Sequence, residues 1–138
     1  MTSVAVLGVD TNILVRFFSR DDAIQSEQAR TLITKAQNQP IHISLIALVE
    51  LVWVLRRVKR WPLGDVLSLC DNLLLSPDFL VEDGVLVEQS LRDAELANCD
   101  LADALIARIN LRAGCPTTVT FDQDAQRLPT MTPAETYL

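Results

Sequence analysis

Val4-Ala5-Val6-Leu7-Gly8-Val9-Asp10-Thr11-Asn12-Ile13-Leu14 is the stretch on which the fold turns. The apolar run from Val4 to Val9 reads as a strand buried on both faces. Asp10 ends that run, and Thr11–Phe18 reads as a short helix. Strand therefore passes to helix with a carboxylate at the junction. No basic region precedes the run and no small-residue cleavage site follows it, so a first strand is expected here instead of a signal peptide, and with it a cytoplasmic location.

The alternation continues outward. Asp21 or Asp22 can cap a second helix carrying Ala29, Leu32, Ile33 and Ala36. Pro40 ends it, and Ile41–Ile43 makes a second strand. Ser44 caps a long helix to about Val58, and Pro62 opens another with an apolar face from Leu63 to Leu74. Phe79–Val81 is a third strand, followed from Asp83 or Gly84 by a helix to about Asn98. Asp100 begins a further helix that stops at Gly114, a left-handed cap position, with Pro116 beyond it. Thr117–Thr120 is a β-branched strand, after which Asp122 turns the chain into a short segment. Strands alternating with helices imply right-handed crossovers and a mainly parallel sheet covered on both faces. One α/β domain over residues 1–138 accounts for the whole pattern.

Several functional classes are disfavoured at this level. Ser44 and Glu50 interrupt the longest apolar run, Ile43 to Leu55, which is shorter than the roughly 20 residues of a membrane span. Cys70, Cys99 and Cys115 form no CxxC pair, and the single histidine, His42, lies between Ile41 and Ile43 as a strand residue. A zinc centre and a Ser-His-Asp triad are both poorly supported, and reduced core thiols are expected. Glycine-rich phosphate loops are missing. A net charge of −6 argues against nucleic acid as ligand unless some acids bind divalent cations, which would then present positive charge to phosphate. Arg56, Arg57, Lys59 and Arg60 crowd together after the most apolar helix. They suit a solvated helix end or an RNA contact equally well.

Open α/β sheets bind ligands at the carboxyl ends of their strands. Asp10 follows the first strand there, and Asp122 and Asp124 follow the Thr117–Thr120 strand. Either Asp10 or Asp122, alone, could simply cap the next turn. Glu50 is the one charge in Leu45–Leu55, so it is expected buried or half-buried, as a cation ligand or in an ion pair with Arg57, with Trp53 packed beside it in the core. Asp100 and Asp103 share a helix face, where Asp100 suits an N-cap and Asp103 is less well explained by capping. Carboxylates from four segments gathered at one edge would suit Mg²⁺ or Mn²⁺ and the hydrolysis of phosphodiesters.

Val9-Asp-Thr-Asn-Ile-Leu14, Glu50 with Trp53-Val-Leu55, Asp100-Leu-Ala-Asp-Ala-Leu-Ile-Ala107 and Thr120-Phe-Asp122 resemble, in order and spacing, the motifs of PIN-domain ribonucleases. The likeness runs from about Val4 to Leu128 and is nearest to the toxin subunits of VapBC toxin–antitoxin pairs. It implies a PIN-like α/β/α sandwich with Asp10, Glu50, Asp103 and Asp122 as the acidic, metal-binding set. It adds Asp100 as a further acidic position, Asp124 as an accessory, and Asn12 and Thr120 as polar neighbours. It also implies Mg²⁺ (or Mn²⁺) as cofactor, RNA as substrate, a homodimer, and a cognate antitoxin that covers the active site.

Two other readings compete. A haloacid-dehalogenase-like phosphatase also begins with an Asp after the first strand, but it wants Asp where Asn12 stands and a later lysine, and only Lys35 and Lys59 exist. A non-catalytic PIN module that binds RNA or protein would not require all four acids.

Overall fold

In the computed structural model, residues 7–36 and 39–138 are described. The first strand, β1, is Leu7–Gly8; the expected Val4–Val6 part of it lies outside the described residues. Helix α1 (Thr11–Ser19) starts on Asp10, whose side chain accepts the Ile13 N–H, and α2 (Ala23–Lys35) starts on Asp22 in the same way through Gln25. Strand β2 is Ile41–Ile43, and Ser44 caps α3 (Leu45–Trp53) by accepting the Ala47 N–H. Then come α4 (Leu63–Leu75), β3 (Phe79–Val81), α5 (Gly84–Ala97), α6 (Leu101–Arg112), β4 (Thr118–Thr120) and β5 (Met131–Pro133). Gly114 holds φ +100° just past α6, the left-handed position expected of it.

Every strand pair is parallel. Among the described residues the order is β1-β2-β3, with β4 beside β5. Six helices with parallel strands form the mixed α/β architecture read from the sequence. Helix α3 packs on α1 and on α6. Leu48 and Leu51 on its inner side, Leu55 in the turn that follows it, and Leu91, Leu101 and Leu105 from α5 and α6 are almost fully buried. Each such side chain stabilises the fold by about 1.5–3 kcal/mol relative to exposure. No helix among the described residues is long and apolar enough to cross a membrane.

Three expectations need correction. The long helix from Ser44 does not run uniformly to Val58: after Trp53 it widens into a π-helical turn, Val54–Val58, closed by Lys59 N–H on the Val54 carbonyl. Helix α4, whose apolar face over Pro62–Leu75 is more than a small domain is expected to cover and so suggests an interface, carries no such surplus, because Val66, Leu67, Cys70 and Leu73 are buried and Leu63, Leu69 and Leu74 are partly so. Only Leu75, at its end, stands open. Finally, the thiols do not all lie in the core: Cys70 and Cys99 are buried, but Cys115 is exposed.

Candidate active site

Helix α3 carries the decisive surprise. Glu50 is exposed, and so are Ile46 and Trp53 on the same side of the helix, Trp53 with 58% of its surface open. The buried face is Ala47, Leu48, Leu51 and Val52. Residues 46, 50 and 53 fall four and three apart and share one stripe, so α3 is amphipathic in shape although nearly uniform in composition. Glu50 is expected buried or half-buried because its neighbours are apolar; two of those neighbours face outward with it. Nor does Glu50 pair with Arg57. Its Oε1 accepts a hydrogen bond from the Thr11 hydroxyl at 3.1 Å, tying α3 to the start of α1.

Two concavities open along this stripe. The first, of about 420 Å³, is lined by Asp10, Thr11, His42, Ser44, Ile46 and Glu50 among others. Asp10 sits at the carboxyl end of β1, and His42 and Ser44 lie at and just beyond the corresponding end of β2. The histidine read as a plain strand residue thus borders the space between Asp10 and Glu50. The second, of about 140 Å³, is lined by Val52, Trp53, Arg56, Arg57, Asp100, Ala102, Asp103 and Asp122. The expected acids therefore stand as two neighbouring sets joined by α3. Among the described residues no group of three or more His, Cys, Asp or Glu side chains is placed to hold one metal ion.

Asp103 is a perturbed acid. Burial pushes its carboxyl above the ordinary carboxylate range, the charges of Asp122 and Asp100 push the same way, and Arg57 opposes them. A half-buried carboxyl surrounded by like charge is a destabilising arrangement that a cation would relieve. Asp122 is held by its own turn. Its Oδ1 accepts N–H groups of Asp124 (2.8 Å) and Ala125 (3.1 Å), and its N–H donates to the Thr120 hydroxyl at 3.0 Å. Thr120 is therefore a neighbour that fixes Asp122. Asp124 bonds instead to Arg127, and Asn12 borders a third hollow between α1 and α2, away from Asp103 and Asp122.

Asp100 occupies the N-cap position of α6 but its side chain caps nothing. Its two oxygens accept from Arg56 Nε (2.9 Å) and Arg57 Nη2 (3.1 Å), and Arg56 also donates to the Trp61 carbonyl. Two members of the basic cluster are thus committed to an acid of the site. The Lys59 ammonium pairs with Asp21, while Arg60 is a left-handed residue (φ 59°) leading out of the π turn. Of the four, Arg56 and Arg57 line the concavity of Asp103, whereas Lys59 and Arg60 do not.

Three residues that organise the site were not singled out from sequence. Thr11 bonds Glu50, and Glu82, just beyond β3, accepts the Leu45 N–H and so helps Ser44 start α3. Arg127 donates to the carbonyls of Ala97 and Asn98, fastening the turn after Asp122 to the end of α5. That bridge explains how Asp122 and Asp103 come together, since α6 begins three residues beyond Asn98. Only the polar residue type was visible in the sequence; these partners lie 29 to 39 positions away. A larger hollow, about 970 Å³, lies elsewhere, along α2 beside Leu7; its ionisable residues, Glu27 and Lys35, make no comparable cluster.

The donor set is entirely oxygen and acidic, which fits a hard divalent cation and not zinc. Asp103 with Asp122, and Asp10 with Glu50, are the pairs that could hold one. A family model described as PIN domain matches residues 8–130. No curated protein matches the chain.

Proposed function

From the premise that this chain belongs to the PIN domain family, generally a nuclease fold whose members generally use divalent metals, we propose that it is a Mg²⁺- or Mn²⁺-dependent endoribonuclease. The observation that carries this reading is Asp103, half-buried beside Asp122 with its carboxyl raised by burial and like charge. Asp103 and Asp122 would hold one cation and Asp10 and Glu50 would extend the site along α3; when bound, such ions supply Lewis acidity and activate water for phosphodiester hydrolysis. The chain's own residues do the positioning. Thr11 orients Glu50, and the Asp122 turn presents its carboxylate at the strand edge. Asp100 is left to the two arginines.

The resemblance to VapBC toxins leads further, to a toxin role, a homodimer and an antitoxin that covers the acids. The test is cleavage of RNA by the purified protein. Activity should vanish with EDTA, return with Mg²⁺ or Mn²⁺, and be absent from Asp103→Asn at any cation concentration. Full cleavage in EDTA would end the metal-dependent reading. Growth arrest on expression, relieved by a neighbouring small reading frame, would support the toxin role.

A further inference from the structure

Apolar side chains left open on an otherwise well-packed helix call for an explanation, and here two of them flank an acid of the site. Trp53 is 58% exposed and lines the same small concavity as Asp103, Asp122 and Arg57. Ile46, 74% exposed, lines the adjoining one with Asp10 and Glu50. Phe121, 78% exposed, immediately precedes Asp122 at the end of β4. Of the chain's two tryptophans, Trp61 is packed against the core and Trp53 is the one turned outward.

A second copy of the chain is a poor match for this surface. Interface cores are depleted in charge, yet the Trp53 concavity is walled by Arg56, Arg57, Asp100, Asp103 and Asp122. Covering it with a second copy of this same surface would desolvate Asp103 and Asp122 while the neighbouring Arg56 and Arg57 already serve Asp100. A nucleotide has the complementary make-up: a flat π face for an indole and an anionic phosphate for a guanidinium. Arg57 is 57% exposed at its side chain, so it can meet a phosphate while still bonded to Asp100; Arg56, at 28% and tied to the Trp61 carbonyl, cannot turn outward as freely.

We propose that Trp53 is a base-contacting residue, stacking an unpaired base of the RNA beside the acidic site while Arg57, positioned by Asp100, meets the adjoining phosphate. This rests on the ribonuclease reading and adds a specificity element to it. Cleavage of a short unstructured oligoribonucleotide, and of copies each carrying one abasic position, should be followed for the wild-type protein, Trp53→Phe and Trp53→Ala. With Mg²⁺ present, Trp53→Ala should raise KM roughly 5- to 150-fold, the span expected for loss of one base stack, with kcat changed far less, and Trp53→Phe should recover most of it. The wild type should lose a similar factor at one abasic position, and Trp53→Ala should be indifferent to that same position, a non-additivity that direct contact demands. An unchanged KM in Trp53→Ala beside an active wild type would overturn the inference and leave the ribonuclease reading standing. So would a loss of dimer by light scattering with KM unaltered, which would assign Trp53 to a seam between copies. No cleavage by the wild type would remove both.

Discussion

Replacing Asp100 by Asn separates two roles for this residue by the sign of one measurement. In the structure its carboxylate is 19% exposed and accepts one bond from Arg56 and one from Arg57. A hydrogen bond to a charged group contributes about 1.5–3 kcal/mol, and the Arg56 contact, with both partners mostly covered, belongs in that range. Arg57 is more than half exposed, so screening holds its share within about 1 kcal/mol. Against this, the substitution removes one of the charges that raise Asp103, and the amide oxygen can still accept from Arg56. The net expectation is a loss of about 1–2 kcal/mol in the metal-free protein, or about 3–10 °C in Tm for a domain of this size. The assay is thermal unfolding in EDTA at neutral pH, repeated with Mg²⁺. The extra stability conferred by Mg²⁺ should be unchanged, because ligand-linked stabilisation follows affinity. A higher Tm in EDTA together with a smaller Mg²⁺ increment would refute the arginine clamp and make Asp100 a cation ligand.

Other outcomes follow from the same geometry. Asp103 has a raised folded-state pKa, so its favourable contribution is complete below the ordinary carboxylate range and is lost as pH rises through the raised value. Asp103→Asn should therefore be more stable than the wild type in EDTA at neutral pH, with the gap closing in acid; a gap that widens on acidification would contradict the repulsive pair. Glu50→Gln keeps the shape of an exposed side chain and should move the metal-free stability by no more than about 0.5 kcal/mol while abolishing cleavage; a collapse in Tm would show that Glu50 holds the scaffold. Burial pushes the Cys70 thiol up to about 12 and Cys99 to about 11. Native protein at pH 8 should therefore release one equivalent of thiol to a soluble disulfide reagent, from Cys115, and three only after unfolding.

Local signals carried much of the fold. Asp10, Asp22 and Ser44 each accept an N–H of the first helical turn, as their residue types and positions suggest. The failures have a common cause: information that lies outside the local stretch. Apolar composition in Leu45–Leu55 could not reveal that Ile46 and Trp53 face out with Glu50, because the neighbours of α3 decide which side is covered. Asp100 looked like a helix cap and a candidate ligand; its two guanidinium partners are 43 and 44 residues away. The last strand, Met131–Pro133, pairs in parallel with β4, but Met-Thr-Pro has no apolar run like that of Ile41–Ile43 or Phe79–Val81 and ends in proline, a residue depleted in strands. At the site, the acids were identifiable by type and strand position, whereas their division into two sets along α3 depends on Arg127 and on the packing of α1 and α6.

The strand-end acids Asp10 and Asp122 are helix or turn caps and candidate site residues at once. Asp10 gives one oxygen, Oδ1, to Ile13, and Asp122 gives its Oδ1 to Asp124 and Ala125. In both, the other oxygen has no hydrogen bond among the described residues. The backbone amides act as a mount for the carboxylate: the bonds to Oδ1 restrain each side chain before anything binds and leave its other oxygen for a ligand. The rotational entropy that a free Asp loses on capture is removed when the chain folds. Breaking the mount should then loosen the site without deleting a single acid.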